Sequence, residues 1–159
     1  MTTEVKVQDR TAVDVALLTA RVIVGIVFMA HGSQKLFGAF GGPGLSAFVQ
    51  MMGPLRYLVA IGEFFGGLGL VVGFLSRFSA ASITLIVVGA IAMVHAKAGF
   101  FMNWTGKQAG EGFEYHLLAI ALLLTILIAG AGRFAIGRFA AFAEIKAWRP
   151  VLGGSRIAR

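Results

Sequence analysis

An all-α integral membrane fold, a four-helix transmembrane bundle with both termini cytoplasmic, is what this sequence predicts. Three observations carry that expectation. Of 159 residues, 58% are hydrophobic and only 13% charged, with a mean hydropathy of +0.86, a mixture far from that of a soluble domain. Four apolar stretches approach the roughly 20 residues a helix needs to cross about 30 Å of hydrocarbon. Lys and Arg divide unequally between alternate flanks of those stretches.

The first span is read as Val13 to Leu36. It is too long for the apolar region of a signal peptide and no A-x-A pattern follows it, so it is expected to be retained. The second runs from Leu55 to Leu75, the third from Ser79 to Ala98 and the fourth from Tyr115 to Ala131. The tails and the short second loop carry Lys6, Arg10, Arg77, Arg133, Arg138, Lys146, Arg149, Arg156 and Arg159, against Lys35, Arg56, Lys97 and Lys107 on the other side. The positive-inside bias therefore places both ends in the cytoplasm. Residues 1–12 form an N-terminal tail, 13–134 the membrane domain, and 135–159 a basic tail read as an interfacial helix, or beyond Arg149 as a disordered segment.

The linkers have their own chemistry. GAFGGPGLSAF, residues 38–48, is glycine-rich and uncharged, as expected of a compact outer loop dipping toward the interface. Residues 100–115 set Phe100, Phe101, Trp104, Phe113 and Tyr115 among glycines, as in an interfacial aromatic belt. The net charge of +7 sits beside apolar spans rather than on a polar fold, which favours anionic lipid headgroups over nucleic acid. The chain has no cysteine, so thiolate, disulfide and iron–sulfur chemistry of its own is excluded. Any redox role requires a borrowed cofactor.

Within the first span, Arg21, Gly25, Phe28, Gly32 and Lys35 fall in an arc of about 80°, with His31 at its margin. That stripe is expected to face protein, since glycines admit close approach and charges avoid hydrocarbon. The second span offers a partner in its G-x-x-x-G pairs, Gly62 with Gly66 and Gly69 with Gly73. It also carries Glu63, roughly 12 Å inside its outer end, where an unpaired carboxylate is costly. Arg21 or His31 is the expected partner. Either the pair merely fixes helix register, or Glu63 and His31 handle protons at the wall of a pocket.

His31, His95 and His116 all fall in the outer third of the membrane on three different helices. Imidazoles so placed suit interfacial hydrogen bonding, a quinone carbonyl, or a haem or metal ion. No H-x-x-x-H or E-x-x-H pair is present. The short echo of Met29-Ala30-His31-Gly32 in Met93-Val94-His95-Ala96 hints at two related hairpins.

Taken together, Arg21, His31-Gly32, Gln34-Lys35, Leu36-Phe37-Gly38 and Gly41-Gly42-Pro43-Gly44, then Glu63 with its following glycines, then His95 with Gly99-Phe100-Phe101, then Glu114-Tyr115, resemble the DoxX family of small four-span membrane proteins. The resemblance covers about residues 15–134. It departs after the last span, where Gly130-Ala131-Gly132-Arg133 is not followed by the family's G-P-G-R-x-S-x-D ending, so no role of that Ser or Asp is transferred. The family is similar to the small subunit of a thiosulfate:quinone oxidoreductase, which implies a multi-pass cell-membrane subunit of a quinone-linked redox or oxidative-stress complex. Arg21, His31, Lys35, Glu63, His95, Glu114 and His116 are the expected cofactor-binding set, with a protein partner or a second copy of the chain expected beside the lipid bilayer. The alternatives are a non-catalytic anchor or assembly scaffold, and a proton or small-solute conduit.

Overall fold

The computed structural model describes residues 2–137. The order is α1 (Thr2–Phe37), a 3-10 turn (Ala39–Gly41), α2 (Gly44–Met52), α3 (Leu55–Val72), α4 (Ser76–Met93), a second 3-10 turn (His95–Ala98) and α5 (Glu114–Ala129). No strand occurs among the described residues. Helices α1, α3, α4 and α5 form an antiparallel ring in which each touches the next and α5 returns to α1. The region from Arg10 to Phe37 and helices α3 and α4 are long and apolar enough to cross a membrane; α5, at 16 residues, is a shorter apolar helix.

Burial follows from that arrangement. Val24, Phe28, Leu70, Ile83, Val87, Leu123 and Ile126 meet at the axis of the bundle. Ile23, Leu58, Phe65, Leu85, Leu118 and Ile128 point outward and stay exposed, which in a membrane is the lipid-facing surface rather than a patch needing a cover. Apolar residues on both faces are what a bilayer-spanning helix requires.

The ends of the elements differ from the sequence reading for local reasons. Helix α1 starts at Thr2 instead of near Val13, because residues 2–12 contain no Gly or Pro to stop it. Helix α3 stops at Val72, where Gly73 takes a left-handed conformation (φ +77°), and the amides of Gly73 and Phe74 both donate to the Gly69 carbonyl at 2.9 Å. Helix α4 starts at once, at Ser76, and gives way to the 3-10 turn before Ala98. The stretch expected as a compact outer loop, residues 38–48, runs into α2, whose Phe48 is buried against α1 and α3. The basic tail expected over 135–159 is described only to Gly137; there Ala135 is buried and the Gly137 amide donates to the Gly73 carbonyl at 3.1 Å. The remainder lies outside the described residues.

Helix α1 approaches α3 backbone to backbone. A Cβ on Gly25 would lie 2.7 Å from the Gly67 carbonyl oxygen, one on Gly67 would lie 2.6 Å from the Gly25 carbonyl oxygen, and one on Gly32 would collide with the backbone of Phe64. The crossing therefore uses Gly25, Gly32 and Gly67, while Gly62, Gly66 and Gly69 face Ile86, Ile83 and Ser79 of α4. Of the two G-x-x-x-G pairs, three glycines serve α4 and Gly73 serves the turn.

Gly67→Val is expected to destabilise the bundle by the upper part of the roughly 1–3 kcal/mol typical of over-packing, because backbone cannot swing aside as a side chain can. Gly89→Ala, inside α4 where an added Cβ meets nothing within 4 Å, is the control expected to leave stability unchanged or raise it by up to about 1 kcal/mol. Thermal melting of both variants in the same detergent checks this, and equal melting temperatures would refute it.

Candidate functional site at the loop side of the bundle

Two groups of polar side chains lie on the α1–α3 seam, one at each end. At the side of the chain termini, Arg21 is 1% exposed. Its Nη1 donates to the carbonyls of Leu70 (2.8 Å) and Val71 (2.7 Å), and its Nη2 to that of Phe134. A helix leaves its last carbonyls unpaired and carries partial negative charge there. A guanidinium answers both needs, so Arg21 caps α3 and ties residues 134–137 to it. It does not approach Glu63.

At the opposite, loop side, Glu63 is paired with Lys35, not with Arg21 or His31 as its depth suggested. Lys35 Nζ donates to Glu63 Oε2, and the two side chains are 19% and 9% exposed. The reason lies in side-chain direction. Cβ vectors lean toward a helix's N-terminus, and in antiparallel α1 and α3 this tilts Lys35 inward and Glu63 outward, toward each other. Helix α2 covers the pair: the Phe48 ring lies 5.7 Å from Lys35 Nζ and 4.2 Å from the Arg56 guanidinium, whose Nη1 donates to the Phe48 carbonyl at 3.3 Å. Cations on an aromatic face are attracted by its quadrupole.

The histidines form a chain of ring contacts. His31 lies 6.3 Å from Tyr115, Tyr115 lies 5.4 Å from His116, and His116 lies 4.1 Å from His95. His95 Nδ1 pairs with the Glu111 carbonyl at 2.8 Å. Tyr115 lies within electrostatic reach of Glu63, and His31 within that of Lys35. The Tyr115 hydroxyl is buried with no hydrogen-bond partner. The Gly112 carbonyl approaches the His116 ring without a hydrogen bond to its buried Nδ1. Residues from α1, α3, α5 and the turn after α4 thus converge on one end of the bundle.

Of the seven residues singled out by sequence, the structure brings His31, Lys35, Glu63, His95 and His116 together. Arg21 is at the other end. Glu114 is occupied by the outer loop, where its Oε1 accepts from the Met102 amide (3.0 Å) and Trp104 Nε1 (3.3 Å). Tyr115 is the member that sequence reading placed in the aromatic belt and in the family motif but not in the site; its place next to His116 was the available signal. Among the described residues no three His, Asp or Glu side chains converge as metal ligands, so the donors present do not fit a metal centre. The Tyr115 hydroxyl and His116 Nδ1 are both buried without a partner, which is rare for polar atoms in a folded protein.

Lys35→Met is expected to cost up to about 3–5 kcal/mol, the usual penalty for stranding one buried charge. Glu63→Gln should cost less, because the remaining ammonium can extend to the interface. The double variant Lys35→Met/Glu63→Leu should recover most of the loss. Unfolding in mixed micelles reads all three, and equal costs for the two single changes would contradict this account.

The sequence model of the DoxX family matches residues 16–96. The chain is also 31% identical, over 119 residues, to the Bacillus subtilis (strain 168) protein named "Putative oxidoreductase CatD", a match spanning 71% of this chain and 79% of that protein. No solved structure matches it.

Proposed function

The chain belongs to the DoxX family, and from that premise we propose that it is a cell-membrane subunit of a quinone-linked redox complex, oriented with both termini cytoplasmic, whose loop-side polar cluster receives the quinone ring. The observation that carries this reading is the unpartnered, buried Tyr115 hydroxyl within the His31–Tyr115–His116–His95 row. The printed name of the Bacillus relative, an oxidoreductase, points the same way.

A quinone supplies two-electron, two-proton chemistry to a chain that has no cysteine and therefore no thiol chemistry of its own. Tyr115 would donate its hydroxyl proton to one ring carbonyl. His116 and His31 flank it with aromatic faces and exchangeable ring protons. The Lys35–Glu63 pair sets the local charge and would give the site a carboxylate able to take up or release a proton. Helix α2, with Phe48 inserted over Lys35, keeps bulk water from the pair. Exposed aliphatic faces of α1 and α5 leave room for an isoprenoid tail to stay in lipid.

The anchoring alternative assigns the same residues to helix tying alone. A short-chain benzoquinone titrated into the purified protein distinguishes the two. Saturable binding is expected, weakened about ten-fold by Tyr115→Phe, the worth of one buried hydrogen bond, with melting unchanged. No saturable binding, or binding indifferent to Tyr115→Phe, would leave the cluster a helix-tying core.

A further inference from the structure

A second feature lies at the opposite end of the bundle and does not depend on the quinone reading. Helix α5 has 16 residues, about 24 Å, against roughly 30 Å of hydrocarbon. The apolar stretch of α1, Val13 to Leu36, measures about 36 Å. The short helix beside the long one leaves a recess of about 610 Å³ on the side of the termini, open to the surroundings. Arg10, Val13 and Leu17 line it from α1, and Ala129 and Ala131 from across the gap.

Depth and charge decide what fills it. Arg10 and Asp14 are the charged residues that flank the apolar stretch of α1 on this side, so the recess opens at headgroup level, where charges stay hydrated, and descends two helical turns, about 10 Å, along Val13 and Leu17. Water at that depth would wet an apolar wall; lipid would not. Three guanidiniums lie on this side of the bundle, of which Arg10 lines the recess and Arg133 follows its lining residue Gly132. Arg10 is exposed, Arg77 donates from Nη2 to the Ile128 carbonyl at 3.1 Å, and Arg133 stacks 4.8 Å over Phe134 with its side chain half exposed. Among the described residues the one carboxylate lining the recess, Asp14, already accepts from the Arg133 amide at 2.9 Å and lies 4.0 Å from its guanidinium. Positive charge remains.

We propose that this recess binds one anionic phospholipid of the leaflet on the side of the termini. Its phosphate lies between Arg10 and Arg133, its glycerol esters against Val13 and Ala131, and its acyl chains along the exposed face around Ile128. A zwitterionic headgroup would bring its own cation against the arginines and gains less.

The test uses the purified full chain in micelles holding equal amounts of phosphatidylglycerol and phosphatidylcholine, with retained lipid read by native mass spectrometry. One phosphatidylglycerol is expected to be retained in preference. Arg10→Gln/Arg133→Gln should reduce that preference roughly thirty-fold, from the usual contribution of a basic residue at an anionic surface. Val13→Trp, which changes an exposed residue and fills the recess, should reduce occupancy by both lipids without altering the melting temperature in lipid-free detergent. Equal retention of the two lipids by the unaltered chain, a preference that survives the double change, or displacement of the lipid by millimolar inorganic phosphate would each overturn the proposal.

Discussion

Every polar contact on the α1–α3 seam takes its register from the place where the two backbones touch, at Gly25 and Gly67. From that point Arg21 lies four positions, about 6 Å, toward the termini, level with the last carbonyls of α3. Glu63 lies the same distance toward the loops, and Lys35, ten positions or about 15 Å away, leans back to meet it. A larger residue at the crossing would separate the helices and stretch both ends at once. The glycines are thus what allow an arginine and an ion pair to be satisfied inside an apolar bundle, where an unmet charge is costly.

Much of this architecture was legible because a bilayer leaves few options. Span length and apolar composition identify helices without any tertiary information, and the arc through Arg21, Gly25, Phe28, Gly32 and Lys35 follows from helical period alone. The pairing did not follow. Depth measured along the sequence put Arg21 and His31 within range of Glu63, yet Arg21's acceptors are backbone carbonyls at a helix end, which no side-chain pattern displays. The choice of Lys35 rests on the opposed tilt of Cβ vectors in antiparallel helices, visible only once the neighbours are known. Helix α2 was hidden by the glycines that flank it: Gly44 and Gly53 both adopt positive φ and bound a stretch that is helical between them.

The histidines illustrate the same limit. Their common depth could be read from sequence, but equal depth on three elements is compatible with any angular separation around the bundle. Their convergence depends on the ring order, with α4 beside α5 and α5 beside α1. That order sets His95 against His116 and Tyr115 against His31.

The shortness of α5 explains which polar residues are committed to structure. In a membrane, backbone that leaves a helix must find its hydrogen bonds within the protein. On the loop side the carboxylates of Glu114 and Glu111 accept from the amides of Met102 and Asn103, while His95 binds the Glu111 carbonyl. On the side of the termini, Arg21 holds the Phe134 carbonyl and Asp14 the Arg133 amide. Glu114 and Arg21, conspicuous in the sequence as charges near hydrocarbon, are therefore occupied in completing a helix too short for its task. Lys35, Glu63, His31, Tyr115 and His116 close no stretch of irregular backbone. Glu63 and His116 are buried, as is the Tyr115 hydroxyl, and repair of a helix end does not explain it, which is why ligand chemistry is proposed at that end of the bundle.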